Sequence, residues 1–191
     1  MSTGKSYLAT LRLPFTLTLT IFTASAIAGY AVGGTVAPQL LEILQETFGG
    51  IAEMPPLILL AIIFLNNAVK SLAALILGLF FGIPSVLFII LNGAIIGIVA
   101  YEVSTIHGLP FVLAALIPHG IFELPAVLLS AAIGIKLGAK VLNRLKGETG
   151  LKGEFRSGVR FFATRIIPLL IIAAVIEVFV TPLVIYRLLP R

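Results

Sequence analysis

Apolar runs longer than the roughly 20 residues that cross a bilayer's hydrocarbon core recur along this chain and take up most of its length. A water-soluble fold has no interior large enough for so much apolar surface: 59% of the 191 residues are hydrophobic and 11% are charged, less than half of the ~25% charged fraction of ordinary soluble domains. The chain is therefore expected to form an all-α, polytopic transmembrane bundle in which each span satisfies its own backbone. Little chain remains for a separate soluble domain, so residues 1–191 read as a single transmembrane domain.

Five spans are expected, at about residues 14–37, 56–82, 84–104, 109–137 and 161–189. Ala24-Ser25-Ala26, behind Lys5 and Arg12, is similar to a secretory cleavage site, but the apolar run continues well past it, as a spanning helix would. Residues 38–55 put Leu40, Leu41, Leu44 and Phe48 at helical spacing with Glu42, Gln45 and Glu46 on another face, which predicts a short amphipathic helix in the interface. Its acids, with Glu53, suit the non-cytoplasmic side. Gly82-Ile83-Pro84 leaves chain only for a tight turn, so the second and third spans are expected to form an antiparallel hairpin. The fourth span carries Pro110, Pro118 and Pro125, of which the last two free the carbonyls of Ala114 and Ile121. A kinked or broken helix is expected there, since irregular backbone at membrane depth survives where protein or a polar cavity satisfies it. The fifth contains Pro168 and Pro182.

Charge sets the expected orientation. Eight of the 13 basic residues (Lys136, Lys140, Arg144, Lys146, Lys152, Arg156, Arg160 and Arg165) lie in or beside the polar loop at about 138–160, which places that loop and the N-terminus on the cytoplasmic side of a cell membrane. Arg187 and Arg191 at the outer end run against the bias and read as snorkelling side chains. Lys136, Lys140 and Arg144 share a helix face, suited to anionic lipid head groups or to an acidic partner. The same placement makes nucleic acid a poor explanation of the formal charge of +5. With no cysteine in the chain, disulfides, thiolate metal sites and cysteine nucleophiles are excluded, and the redox compartment is unreadable.

Glycine pairs at small-xxx-small spacing recur: Gly29 with Gly33, Gly78 with Gly82, Gly93 with Gly97, and Gly134 with Gly138. Each lets another backbone approach closely, either within the chain or in a homodimer.

Depth is more informative. Lys70, Asn92, His119 with Glu123, and Glu177 fall near the middles of four different spans. A charge at the bilayer centre costs about 2.5–3.5 kcal/mol on insertion scales, so such groups are expected to face inward and meet. Asn66 and Lys70 are one turn apart, as are His119 and Glu123, and the Lys70 ammonium is expected to meet Glu123 or Glu177. The belt reads either as a satisfied network that fixes helix register or as a path for a proton, ion or small polar solute beside an irregular helix. His119 and Glu123 are also weak metal-ligand candidates, with Glu177 needed to complete a set. The chain has only His107 besides, no aspartate and no HExxH pattern. No serine sits in a strained nucleophile turn, so no catalytic residue is assigned and no cofactor is expected.

Taken together, Phe64-Leu65-Asn66-Asn67 with Lys70-Ser71, Gly78 to Gly82, Leu91-Asn92-Gly93 with Gly97, and Pro118-His119-Gly120-Ile121-Phe122-Glu123-Leu124-Pro125 resemble the stage II sporulation protein M family of membrane proteins. The resemblance covers nearly all the chain and implies that Asn66, Asn67, Asn92, His119, Gly120 and Glu123 are core positions, without assigning them a reaction. In spore formers the family's namesake looks like the membrane-embedded scaffold of a peptidoglycan-degrading complex whose partners supply hydrolysis. Sporulation itself is not implied, because members extend to organisms without spores or peptidoglycan. The expected function is that of a non-enzymatic membrane scaffold or partner subunit, homodimeric or bound to another membrane protein. A channel or transporter for a proton, ion or small polar solute is the alternative, and an intramembrane metal-dependent hydrolase a remote one.

Overall fold

Backbone in hydrocarbon must pair its own N–H and C=O groups, and the described residues meet this with helices joined by short turns. The computed structural model describes residues 7–51 and 54–188; Lys5, Glu53, Leu189 and Arg191 lie outside them. Among the described residues five helical segments are long and apolar enough to cross a membrane: Arg12–Ile43, Pro56–Leu77, Ile83–His107, Leu109–Leu145 and Leu151–Arg187. The protein is an all-α polytopic bundle.

A one-turn helix, α1 (Tyr7–Thr10), leads into α2 (Arg12–Phe48), which runs through Pro38 without a break. Residues 38–48 thus continue the first span instead of forming a separate interfacial helix. The proline forfeits one bond, to the Gly34 carbonyl, and extending an existing helix is far easier than nucleating a new one. At 37 residues and about 1.5 Å per residue, α2 reaches about 55 Å. The end that carries exposed Glu42, Gln45 and Glu46 therefore extends past a hydrocarbon core of about 30 Å.

After α3 (Pro56–Leu77), a turn over residues 78–82 leads into α4 (Ile83–His107). The turn holds Phe81 at φ +57° and Gly82 at φ +79°. The tight turn joins the two helices as expected, but they pack little on each other beyond it: α4 packs mainly along α2 and only lightly on α3. Glycine decides the pairing. A methyl group at Gly29 would overlap the backbone of Ala94, one at Gly97 the carbonyl of Ala26, and one at Gly93 the Ser25 hydroxyl. Gly33 lies beneath the Tyr101 ring, Gly78 rests on Gly134, and Gly138 meets Gly82. All four glycine pairs are used for packing within one chain.

α5 (Leu109–Leu145) occupies the middle of the bundle and continues through Pro118 and Pro125 without a break. Its run Ala126–Gly134 is buried on every side, as befits a helix surrounded by others. Side chains tie it to neighbours: the Thr18 hydroxyl donates to the Leu128 carbonyl at 3.3 Å, and Ser85 spans the α3–α4 turn to the Ala74 carbonyl at 2.7 Å.

The expected polar loop contracts to a turn at 146–150, with Gly147 and Gly150 at positive φ. Lys136, Lys140 and Arg144 keep helical spacing with no proline between them, so α5 continues to Leu145. It is followed by the amphipathic α6 (Leu151–Phe161), which lays Phe155 and Val159 on the core and leaves Lys152, Arg156 and Arg160 exposed. From there one rod runs on through a π-helical turn (Phe162–Ile166), α7 (Ile167–Val175), a second π-helical turn (Ile176–Val180) and α8 (Thr181–Leu188). Pro168 and Pro182 each stand just beyond one of these turns. The extra residue lets Ile167 and Thr181 bond the carbonyls five back, Phe162 and Ile176, where the proline ring would crowd a regular ladder.

One basic residue departs from expectation. Lys136 turns into the chain instead of lying on a lipid-facing cationic stripe. Its Nζ is 2.8 Å from Glu154 Oε1, donates to Thr10 Oγ1 at 2.7 Å and sits 4.7 Å from the centre of the Tyr7 ring. Tyr7 donates its hydroxyl to Glu154 at 2.7 Å, and the lysine and glutamate side chains are 18% and 13% exposed. This clamp joins α1, α5 and α6. Burial, and then the hydrogen bond to the Glu154 carboxylate, push the Tyr7 phenol above its ordinary pKa of 10.0.

Two outcomes follow. Gly97→Ala should destabilise the folded chain by about 1–3 kcal/mol through overpacking against a carbonyl, whereas Gly120→Ala, whose methyl meets only Leu124 Cδ1 at 3.9 Å, should be close to neutral. Thermal unfolding in detergent measures both. Because folding favours the neutral phenol of Tyr7, its contribution is whole below about pH 10 and declines as pH rises beyond that value. Tyr7→Phe should therefore lose less stability than the parent between pH 9 and pH 11 in the same assay.

Candidate functional site

Between Pro118 and Pro125, α5 presents His119 and Glu123 one turn apart, and the π-helical turn Ile176–Val180 presents Glu177. Both α7 and α8 pack on α5, which brings the three side chains to one point. A ligand-capable atom from each lies within 4.8 Å of the other two, and all three residues are half-buried. They approach without pairing: among the described residues the Lys136–Glu154 bridge is the one ion pair within 4.0 Å. His119 Nδ1 is buried and has no hydrogen-bond partner among the described residues. The π-helical turn matters here, because the residue it adds re-aims the side chains of one turn relative to a regular helix.

The other belt residues take different directions. Lys70 and Asn66 are exposed on the outer face of α3, beside Leu65 and Val69 at 56% and 63% exposure. The inner face of α3 is taken by Ala68, Ser71, Ala74 and Leu75, so the expected contact between the Lys70 ammonium and a carboxylate is not made. Asn66 donates to the Asn67 side-chain carbonyl at 3.5 Å. Asn92 donates to the Phe88 carbonyl of its own helix at 2.7 Å, an acceptor every helix offers, and so does not join the cluster. Gly120 lines an apolar groove of about 480 Å³ with Phe15, Leu19, Phe22, Leu116 and Leu124. A second cavity of similar size lies beside Arg12, Phe15 and Leu129, and a third of about 180 Å³ between α4 and α5. None of these three cavities is lined by His119, Glu123 or Glu177.

Sequence spacing finds the His119–Glu123 pair, and depth alone brings Glu177 to the same level. What it misses is that Lys70 and Asn92 leave the group, and that Lys136, Glu154, Tyr7 and Thr10 form a second polar assembly. Nothing local in the sequence signals that assembly, because Tyr7 and Glu154 are 147 positions apart. Chemically, the three-residue cluster offers one imidazole and two carboxylates around a common point, which can take a proton or a cation.

A family model described as Stage II sporulation protein M matches residues 18–182. An uncharacterised protein of the archaeon Methanocaldococcus jannaschii is 43% identical over 68 residues, which are 35% of this chain and 38% of that protein. The chain thus spans well under half the length of that relative. No solved structure matches.

Proposed function

Since the chain belongs to the stage II sporulation protein M family of membrane proteins, we propose that it is a non-enzymatic scaffold or partner subunit that works in the membrane as a homodimer. The observation that carries this reading is the outer face of α3, where Asn66 and Lys70 are exposed between Leu65 and Val69 in the middle of a span. An exposed ammonium at that depth, with no ion pair within 4.0 Å among the described residues, costs up to about 2.5–3.5 kcal/mol. A second copy presenting the same face removes that cost: its Asn66 and Asn67 carbonyl oxygens accept from Lys70, and Leu65 and Val69 supply the apolar contact. Interhelical hydrogen bonds in membranes average only ~0.6 kcal/mol each, so relief of the exposed charge is the larger part of the drive. The glycine pairs are committed inside the chain, which leaves this polar face as the surface best suited to association. A different membrane protein with a polar helix face would fit by the same chemistry.

The basic residues support an orientation in which the N-terminus and the turn at 146–150 face the cytoplasm of a cell membrane. Lys140, Arg144, Lys152, Arg156 and Arg160 would then lie near anionic head groups, at about 1 kcal/mol per cation. That His119, Glu123 and Glu177 line none of the three described cavities supports a scaffold over a solute path.

The test combines mass measurement in nanodiscs with a flux screen in proteoliposomes over protons and monovalent and divalent cations. Parent protein is expected to be dimeric and Asn66→Leu/Lys70→Leu monomeric, with no flux above protein-free vesicles. A monomeric parent, or flux that Glu123→Gln abolishes, would overturn the reading.

A further inference from the structure

We propose that His119, Glu123 and Glu177 form a binding site for one first-row divalent cation, such as Zn²⁺, that ties α5 to the π-helical turn before α8. Three observations converge on it. The ligand-capable atoms of three residues from two separate segments lie within 4.8 Å of one another. Neither carboxylate has an ion pair within 4.0 Å among the described residues, although both lie in membrane spans. One nitrogen of the imidazole, Nδ1, is buried with no hydrogen-bond partner among the described residues. Buried charges are held by pairing or by coordinating metals, and a cation here would neutralise two carboxylates while taking up an imidazole lone pair.

The geometry is within reach. In a tetrahedral site with bonds of about 2.0–2.2 Å the ligand atoms stand ~3.4 Å apart, so the three groups need to close by at most ~1.4 Å, which side-chain rotation supplies. The donor set narrows the ion. An imidazole disfavours Mg²⁺ and Ca²⁺, the lack of thiolate disfavours Cu(I) and iron–sulfur clusters, and one nitrogen with two carboxylate oxygens suits Zn²⁺, Mn²⁺ or Fe²⁺. Three protein ligands leave at least one coordination position open. Lys70 has no ion pair within 4.0 Å among the described residues and so leaves both carboxylates open to the ion. The site is independent of the scaffold reading: it ties segments of one chain and does not depend on a second copy.

The test uses tag-free protein of residues 1–191 in detergent, stripped with a chelator and titrated with Zn²⁺, then with Co²⁺ as a spectroscopic probe. Expected are one Zn²⁺ per chain by calorimetry and elemental analysis, visible Co²⁺ absorption of a low-coordinate nitrogen–oxygen site, and a Tm about 5–10 °C higher at a hundredfold excess over Kd. Glu177→Gln, near-isosteric and checked for folding by circular dichroism, should weaken Zn²⁺ binding at least tenfold, and His119→Gln should abolish the Co²⁺ spectrum. Zn²⁺ uptake no greater than the detergent blank, or equal uptake by the parent and Glu177→Gln, would overturn the proposal. Should a variant fail to fold, the parent's Co²⁺ spectrum decides, and its absence overturns the site. The oligomeric state of the stripped protein, measured alongside, separates failure of this site from failure of the scaffold reading.

Discussion

Hydrocarbon supplies neither hydrogen-bond partners nor counterions, and it is as apolar as a leucine side chain. Helices inside it gain nothing from burying apolar surface against one another, and they associate through close packing and through the polar groups they hide. Both devices are visible here. Where Gly29 meets Ala94, Gly97 meets Ala26 and Gly78 meets Gly134, the missing side chains let backbones touch, and those contacts determine which helix lies beside which.

The same constraint sorts the polar side chains by environment. Asn92 and several serine and threonine hydroxyls satisfy themselves on carbonyls of their own helices, where an acceptor is always at hand. His119, Glu123 and Glu177 turn toward one another, while Asn66 and Lys70 remain on the outside of the single chain. At the end of the bundle that carries α6, the ion pair of Lys136 and Glu154 does what the glycines do at depth, fastening the N-terminal turn and α6 to the end of α5.

Prolines show how local and global demands are reconciled. Pro38, Pro118 and Pro125 sit inside helices that do not break, and Pro168 and Pro182 follow π-helical turns that absorb the displaced carbonyls. The second of those turns carries Glu177 into the cluster, so an accommodation to a proline also positions a charged group.

Span number, helical class, the tight turn around Gly82 and the placing of His119 and Glu123 one turn apart on one helix were all legible in the amino-acid order. Each depends on the length of an apolar run or on spacing within one helix, and such properties are local. The partner of α4, the length of α2 past Pro38, the outward turn of Lys70 and the meeting of Tyr7 with Glu154 were not legible. Each depends on how helices distant in the chain rotate and approach, and a periodic pattern gives a helix an apolar surface without naming its neighbour. The sequence by itself determined five helices long and apolar enough to cross a membrane, with ionisable groups near their middles. Only the tertiary structure decided which of those groups face each other, because helix rotation is set by the sterics of contact between helices and by no single helix alone.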